Sequence, residues 1–434
     1  MTEEQQNAAP APDASAPAAG QAPDKKQGGF PEPKPPAANL ASGEDLEAVA
    51  RGAALLASGE LVAFPTETVY GLGADARSDA ALARLYAVKK RPGTHPVIVH
   101  LADAEQLSDW AAEVPPGAMK LATRFWPGPL TLILKRKPGV SDALTGGQDT
   151  VGLRVPSHPV SQALLRAFGG AIAAPSANRF GRISPTRGQH VIDDLGNDVA
   201  LVLDGGPCNL GIESTIIDYS AGHPVLLRPG ALQLAQIADV VGEAVRLPLA
   251  AGEEGTGGGE VGEGAGDTPR VPGSHAAHYA PRARMRLMKR VEIINTLVEH
   301  KGQRVAVLAL EVAVPRLAQA LLAVVPAVPS QYAKALYANL RALDASGADL
   351  ILVELPPDTP AWAAVMDRLR RAAHEKALAP KDAARFAKLR ERAAKKLVEQ
   401  VAEESAPVAA GGPDESLAPD PTHYELPDVG GARN

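Results

Sequence analysis

Two short segments place a cluster of polar side chains where a strand must end. In GELVAFPTETVYGLGAD, residues 59–75, the apolar run Leu61 to Phe64 stops at Pro65, and Thr66, Glu67, Thr68 and Tyr70 follow. A second run, Ala171 to Ala174, ends in Pro175-Ser176-Ala177-Asn178. Proline cannot donate to a β-ladder, so the chain leaves the sheet at both points. Strand ends are where open α/β sheets hold their ligands. Gly71 and Gly73 are expected to allow positive φ and close approach of a ligand to the main chain. Lys89, Arg91, His95, Arg154 and Arg228 are candidate cationic donors, and arginine suits phosphate or carboxylate recognition. Ser176, Ser184, Thr186, Ser214 and Thr215 add neutral hydroxyls, and Asn178 adds an amide. The inventory suits a nucleotide phosphate chain beside a small zwitterion.

Each of these residues also has an ordinary structural reading. Lys89-Lys90-Arg91 complements the dipole of an exposed helix end, and His100 is a half-buried strand histidine. Arg154 and Arg228 are strand-end ion pairs, and Ser176, Asn178 and the Ser-Pro-Thr run are turns or caps. Their joint placement favours the ligand site. The sequence has no G-x-x-x-x-G-K-[ST] loop, Ser–His–Asp set, paired carboxylates or dense metal-ligand cluster. Any Mg²⁺ is therefore expected to be bound through phosphates.

The elements that must position these side chains follow from periodicity and caps. Ser42 opens a helix that ends at Gly59, and Asp79 opens another that ends in Lys89-Lys90-Arg91-Pro92-Gly93. The strand Val97 to Leu101 carries His100. Amphipathic segments around Ala104 to Ala112 and Ala118 to Phe125 precede a strand from Leu130 to Leu134. Thr150 precedes the strand Val151 to Val155, which presents Arg154, and a helix from Val160 to Phe168 follows. Ser184-Pro185-Thr186 reads as an N-cap with proline at the first helical position, a potential anion site. Strands near Ala200 to Leu203, Glu213 to Tyr219 and Val225 to Arg228, with a helix near Leu232 to Val241, complete the unit. Helices do not separate the strands regularly, which predicts a twisted mixed α/β sheet with flanking helices.

Residues 252–266 are rich in glycine and acids and lack Lys and Arg, the composition of a flexible linker. Ser274, His275, His278 and Tyr279 follow between Pro272 and Pro281. A second pattern alternates helix Val291 to His300, strand Arg304 to Leu310, helix Gln331 to Leu343, strand Leu350 to Leu355 and helix Ala361 to Ala373. It reads as a small Rossmann-like α/β domain. The expected organisation is a disordered extension over 1–40, a catalytic domain over 41–248 and a linker with a lid segment over 249–284. The small domain over 285–404 includes a charged helix at 381–404, and 405–434 is a disordered tail. The chain has 434 residues and a formal net charge of −6, which argues against retention on nucleic acid by bulk charge. Cys208 is the only cysteine, so there is no internal disulfide and no cysteine-based zinc site. Without a signal-peptide pattern or a membrane-length apolar run, a soluble cytoplasmic protein is expected.

PTETVYGLG, KKRP, IVH, RFWPGPLTLIL, RVPSHP, APSAN, SPT, GIESTIID and LRPG occur in this order. Together they resemble the threonylcarbamoyl-AMP synthases, the YrdC-like family, in its long two-domain form. The likeness is dense from Leu40 to Leu247 and looser over SHAAHYAP and the small domain. It implies synthesis of threonylcarbamoyl-AMP and pyrophosphate from L-threonine, bicarbonate or CO₂, and ATP, a nucleotidyltransferase reaction. The product would feed threonylcarbamoyladenosine modification of tRNA, with ATP as substrate and Mg²⁺ held through its phosphates. The resemblance assigns Lys89, Arg91, His95, Thr150, Asn178, Ser184, Thr186, Arg228 and Tyr279 to ATP, with Lys89 and Arg91 catalytic. It assigns Thr68, His100, Arg154, Ser176 and Ser214 to threonine. Implied partners are a downstream threonylcarbamoyl-transfer complex and a tRNA contact, and no membrane. Tyr279 is expected to be a lid residue near the phosphates, or else an anchor against the second domain. The segment departs from the family's usual G-[ML]-[KR]-x-[RST]-H-Y-A-P run, because Ser274-His275-Ala276-Ala277 before His278 lacks a basic residue. Alternatives are a non-catalytic RNA-binding module on the same concave basic surface, and a carbamoyltransferase acting through carbamoyl-AMP. The zinc-finger region typical of the latter is excluded by the single cysteine.

Overall fold

The computed structural model describes residues 39–247, 268–273, 278–299, 304–311 and 320–373. The expected N-terminal extension up to residue 38, the glycine-rich linker, Ser274 and His275, the helix at 381–404 and the tail lie outside the described residues. The main sheet has ten strands. They are β1 Leu40–Ser42, β2 Val62–Phe64, β3 Gly71–Asp75, β4 Ile98–His100, β5 Leu130–Lys135, β6 Thr150–Arg154, β7 Ile172–Ala173, β8 Leu201–Asp204, β9 Thr215–Asp218 and β10 Val225–Arg228. Their spatial order is β1-β8-β2-β3-β7-β4-β6-β5-β9-β10. The pairs β1/β8, β8/β2, β4/β6 and β5/β9 are parallel and the rest antiparallel, so the sheet is mixed and twisted.

Strand alternation divides the core between two faces. Leu61 and Ala63 face one layer, with Leu82, Leu85, Leu121 and Ile237 from its helices. Val62 and Phe64 face the other, against Val49 and Leu56 of helix Leu46–Ala57 and Leu164 and Leu165 of helix Pro159–Phe168. Asp45 caps the first of these helices through the Glu47 amide at 2.9 Å.

Three local readings of the sequence need correction. Ser42 does not open the first helix; it ends β1, and Asp45 is the cap. Gly71 and Gly73 are not in a positive-φ turn; they lie within β3, which returns antiparallel beside β2. A Cβ on Gly73 would lie 2.9 Å from both Ile172 Cγ2 and Phe64 Cε1. At Gly73 the close approach is therefore by core side chains, whereas Gly71 lines the pocket described below. Ser184 is likewise not a helix N-cap, because the helix starts at Gly188 with Arg187 at the cap position. The Ser184 hydroxyl instead donates to Glu213 Oε1 at 2.6 Å, and the Pro185 carbonyl accepts from the Tyr70 amide at 2.9 Å. These bonds hold the Ser-Pro-Thr run outside the helix.

The second sheet has four parallel strands in the order β11-β14-β12-β13. They are β11 Arg284–Met288, β12 Val305–Leu310, β13 Leu321–Val325 and β14 Leu350–Glu354. β11 and β13 extend the β-α-β-α pattern read from the sequence. Helices Pro329–Ala345 and Ala363–Ala372 pack on this sheet, and their core is continuous with Val69, Ile183, Ile212 and Tyr279. Among the described residues no helix is long and apolar enough to cross a membrane. Because Gly73 is enclosed on both sides, Gly73→Ala should destabilise the protein by about 1–3 kcal/mol. Urea denaturation monitored by circular dichroism would measure this, and an unchanged midpoint would contradict the packing argument.

Candidate active site

The two proline-broken strand ends and the ends of β4 and β6 meet at a pocket. Ten of the fourteen residues that the resemblance assigns to ATP or threonine line it: Thr68, Lys89, Arg91, His100, Arg154, Ser176, Asn178, Ser214, Arg228 and Tyr279. The other four lie off its wall. His95 is half-buried beside Phe180, with ring centroids 5.2 Å apart, and Phe180 lines the pocket. Thr150 begins β6, four residues and therefore about 13 Å from Arg154. It faces a separate cleft with Lys135 and Arg246. Ser184 is committed to Glu213, and the Thr186 amide donates to His190 Nδ1 at 3.2 Å.

Lys89 and Arg91 do not form the exposed helix end that the sequence suggested; they are 1% and 8% exposed. Lys90 takes a left-handed conformation at the helix C-terminus, φ 53°, and the chain turns so that both neighbours point inward. Lys89 Nζ donates to the carbonyls of Ser176 at 2.5 Å and Asn178 at 2.6 Å. Arg91 donates to the Pro96 carbonyl at 2.7 Å. Arg228 donates to the Ser214 carbonyl and hydroxyl, both at 3.0 Å, and to the Pro272 carbonyl at 2.7 Å. Burial, followed by the charge of Arg91, holds the Lys89 pKa well below its ordinary value. Burial lowers Arg91 to about 10 and also lowers Arg228. Among the described residues no carboxylate forms an ion pair with any of these three cations.

The two nearby carboxylates are engaged elsewhere, and their roles were not recognised in the sequence. Glu67 accepts from Arg154 Nη2 at 2.7 Å and from the Ser157 amide at 3.0 Å. Arg154 also donates to the Thr68 hydroxyl at 3.0 Å. Glu213 accepts from Ser184, from Tyr337 at 2.9 Å and from Arg368 Nε at 2.9 Å. Burial alone would raise its pKa, but Arg368, Arg228 and the hydrogen bonds hold it at about 2. The available signal was that Glu67 and Glu213 sit inside the PTET and GIEST strings; Tyr337 and Arg368 lie on amphipathic helices that carried none. His100 and His278 are each pushed down to about 3, chiefly by burial, and are neutral at neutral pH.

Tyr279 is 1% exposed with φ 62°. Its ring stacks on Tyr337 at 5.7 Å and meets His278 edge-on at 4.1 Å. Its phenol reaches the pocket with no hydrogen-bond partner among the described residues. It is thus packed against the second sheet and present in the pocket wall at once.

A twisted mixed sheet whose strand ends gather buried cations, hydroxyls and an amide defines an α/β protein built to hold a small anionic ligand. Residues 54–230 match a family model described as Telomere recombination, the Sua5, YciO and YrdC group. Residues 232–374 match one described as Threonylcarbamoyl-AMP synthase, C-terminal domain. The threonylcarbamoyl-AMP synthase of Bacillus subtilis is 41% identical over 344 residues, covering 75% of this chain and 92% of the relative. That of Pyrococcus abyssi is 39% identical over 328 residues, covering 74% and 92%. The crystal structure of P. abyssi Sua5 complexed with L-threonine aligns with a TM-score of 0.68 and 38% identity, over 76% of this chain and 95% of that one. The chain belongs to the threonylcarbamoyl-AMP synthase family. It is an enzyme of threonylcarbamoyl-AMP synthesis. The RNA-binding and carbamoyltransferase readings are set aside.

The depressed Glu213 pKa has a stability consequence with a definite sign. Its contribution is complete above the ordinary value of 4.5 and is lost as pH falls through about 2. Glu213→Gln should cost about 3 kcal/mol near neutrality, because Arg368 would be left as an uncompensated buried charge. The stability gap to wild type should narrow steadily as the medium is acidified below pH 4.5. Urea titrations at several pH values would test this, and a pH-independent gap would refute it.

Proposed function

We propose that the ATP phosphates bind Lys89, Arg91 and Arg228, with Asn178 and Tyr279 completing the nucleotide half of the pocket. L-Threonine would occupy the half lined by Thr68, His100, Arg154, Ser176 and Ser214. The observation that carries this reading is the set of three buried cations without a carboxylate partner beside a neutral, hydroxyl-rich wall. Buried cations of this kind are stabilised by an anionic ligand. Arg154 would receive the threonine carboxylate on its pocket side while Glu67 fixes its orientation. Neutral His100 adds no positive charge against the substrate amine.

The reaction is then a nucleotidyl transfer. The threonine nitrogen bonds to the carbon of CO₂ derived from bicarbonate and releases a proton, leaving a carbamate. A carbamate oxygen attacks the α-phosphorus in line, the bond from that phosphorus to the bridging oxygen breaks, and pyrophosphate leaves. No side chain need form a covalent bond; positioning and charge stabilisation carry such chemistry. Lys89, Arg91 and Arg228 hold the charge that develops on the phosphates. The burial of Tyr279 and His278 over the pocket excludes water from the labile carbamate. Among the described residues no cluster of three or more His, Cys, Asp or Glu could hold a metal. With Glu67 and Glu213 committed to arginines, the phosphates themselves are the fitting donors for Mg²⁺, which would neutralise their charge. A cytoplasmic site of action and delivery of the product to a downstream transfer complex accord with this reading.

Pyrophosphate release should require L-threonine, bicarbonate and ATP together; release with threonine omitted would overturn the proposal. Arg91→Ala should raise KM for ATP about tenfold or more, the loss expected for a hydrogen bond to a charged group. Arg154→Lys should raise KM for threonine by a similar factor despite the retained charge. Steady-state kinetics alongside thermal melting would separate these effects from the cost of altering buried residues.

A further inference from the structure

The second sheet contributes a side chain that the chemistry above does not use. Arg368, on helix Ala363–Ala372, is 1% exposed and reaches back across the chain to the strand ends of the main sheet. Nε donates to Glu213 Oε2 at 2.9 Å, and Nη2 donates to the Glu213 carbonyl at 3.3 Å. Nη1 donates to the Pro229 carbonyl at 2.8 Å and to Asp367 at 2.8 Å. Glu213 directly precedes Ser214, and Pro229 directly follows Arg228. One guanidinium therefore ties together the two segments that carry the Ser214–Arg228 hydrogen bonds in the pocket wall. The same group lies 5.6 Å from the centroid of the Tyr279 ring.

The neighbouring helix reinforces the arrangement. Tyr337 donates to Glu213 and stacks on Tyr279, and Arg341 donates to the Ser184 carbonyl at 3.3 Å and to Asp194. Gly211 makes this approach possible. Its φ is +76°, and a Cβ there would lie 2.5 Å from Lys334 Cα and 2.6 Å from the Lys334 carbonyl oxygen. The backbone of helix Pro329–Ala345 thus rests directly on the turn that leads into Glu213.

We propose that Arg368 is a positioning residue for the synthase reaction, holding Ser214, Arg228 and Tyr279 in their working geometry from the second sheet. The proposal rests on the pocket assignment made above. A lysine in its place keeps the charge and one hydrogen bond to Glu213 but cannot span both backbone segments. The pocket groups nearest this guanidinium belong to both the nucleotide and the threonine halves. Loss of the fork should therefore weaken both substrates together, which a purely stabilising role would not do in protein that remains folded.

The test uses the full chain, with pyrophosphate release and thermal melting measured for wild type, Arg368→Lys, Tyr337→Phe and Arg370→Ala. Arg370 is exposed on the same helix and controls for changes in surface charge. Arg368→Lys is expected to lower kcat/KM at least tenfold for both ATP and threonine at a temperature where it is folded, with Arg370→Ala at the wild-type value. Values within twofold of wild type for folded Arg368→Lys would overturn the proposal. Should Arg368→Lys not fold, Tyr337→Phe decides. It keeps the ring stack and removes one hydrogen bond to Glu213, and KM for both substrates should rise threefold or more; unchanged KM values would overturn the proposal. If wild type itself releases no pyrophosphate from the three substrates, it is the pocket assignment that fails, a separate and recognisable result.

Discussion

The closure of the two sheets depends on compensating one buried carboxylate. Glu213 lies in the turn before β9, and its desolvation must be offset by hydrogen bonds and opposite charge within the fold. The main sheet supplies the Ser184 hydroxyl and the nearby Arg228 charge, whereas Tyr337 and Arg368 come from helices on the second sheet. The main sheet alone would leave Glu213 short of its strongest partner. The pocket and the second sheet are thereby parts of one electrostatic arrangement, and their shared apolar cluster through Val69, Ile183, Ile212 and Tyr279 follows the same boundary.

The charge pattern of the pocket follows from how its two acids are used. Glu67 neutralises Arg154 and Glu213 neutralises Arg368, while Lys89, Arg91 and Arg228 are left with carbonyl partners and, for Arg228, the Ser214 hydroxyl. Carbonyl dipoles orient a cation without cancelling its charge, so the pocket keeps a positive field in a desolvated space. That is the condition under which fixed charges act most strongly on a bound anion. His100 and His278, held neutral by burial, leave this field to the three cations.

Tyr279 belongs to both halves of the molecule. A non-glycine residue at φ 62° carries backbone strain of about 1–2 kcal/mol, which the surrounding packing must offset. The stack on Tyr337 and the neighbouring Arg368 supply that packing, and the phenol is thereby presented to the pocket. The contacts that anchor this tyrosine to the second sheet are the same ones that place its ring in the pocket wall.

Much of the main sheet was legible because local rules and tertiary structure agree there. The alternation at Leu61 to Phe64, the prolines that end two strands, and the apolar runs of β4, β5, β6 and β8 all predict what forms. The motif strings likewise brought ten pocket residues into view. β1 and β7 are too short for periodicity to register fully, and β11 mixes arginines with apolar residues. The Ser184 segment followed the rule for helix caps until Glu213, distant in sequence, took its hydroxyl. Gly73 looked like a turn residue because sequence does not reveal that Phe64 and Ile172 close around it. The amino-acid order by itself determined where strands end and which donors stand there, since proline geometry and side-chain chemistry are local. Only the tertiary structure decided which cations lack a carboxylate and that Arg368, 155 residues away, holds Glu213. Charge pairing and burial depend on neighbours in space, which no spacing along the chain specifies.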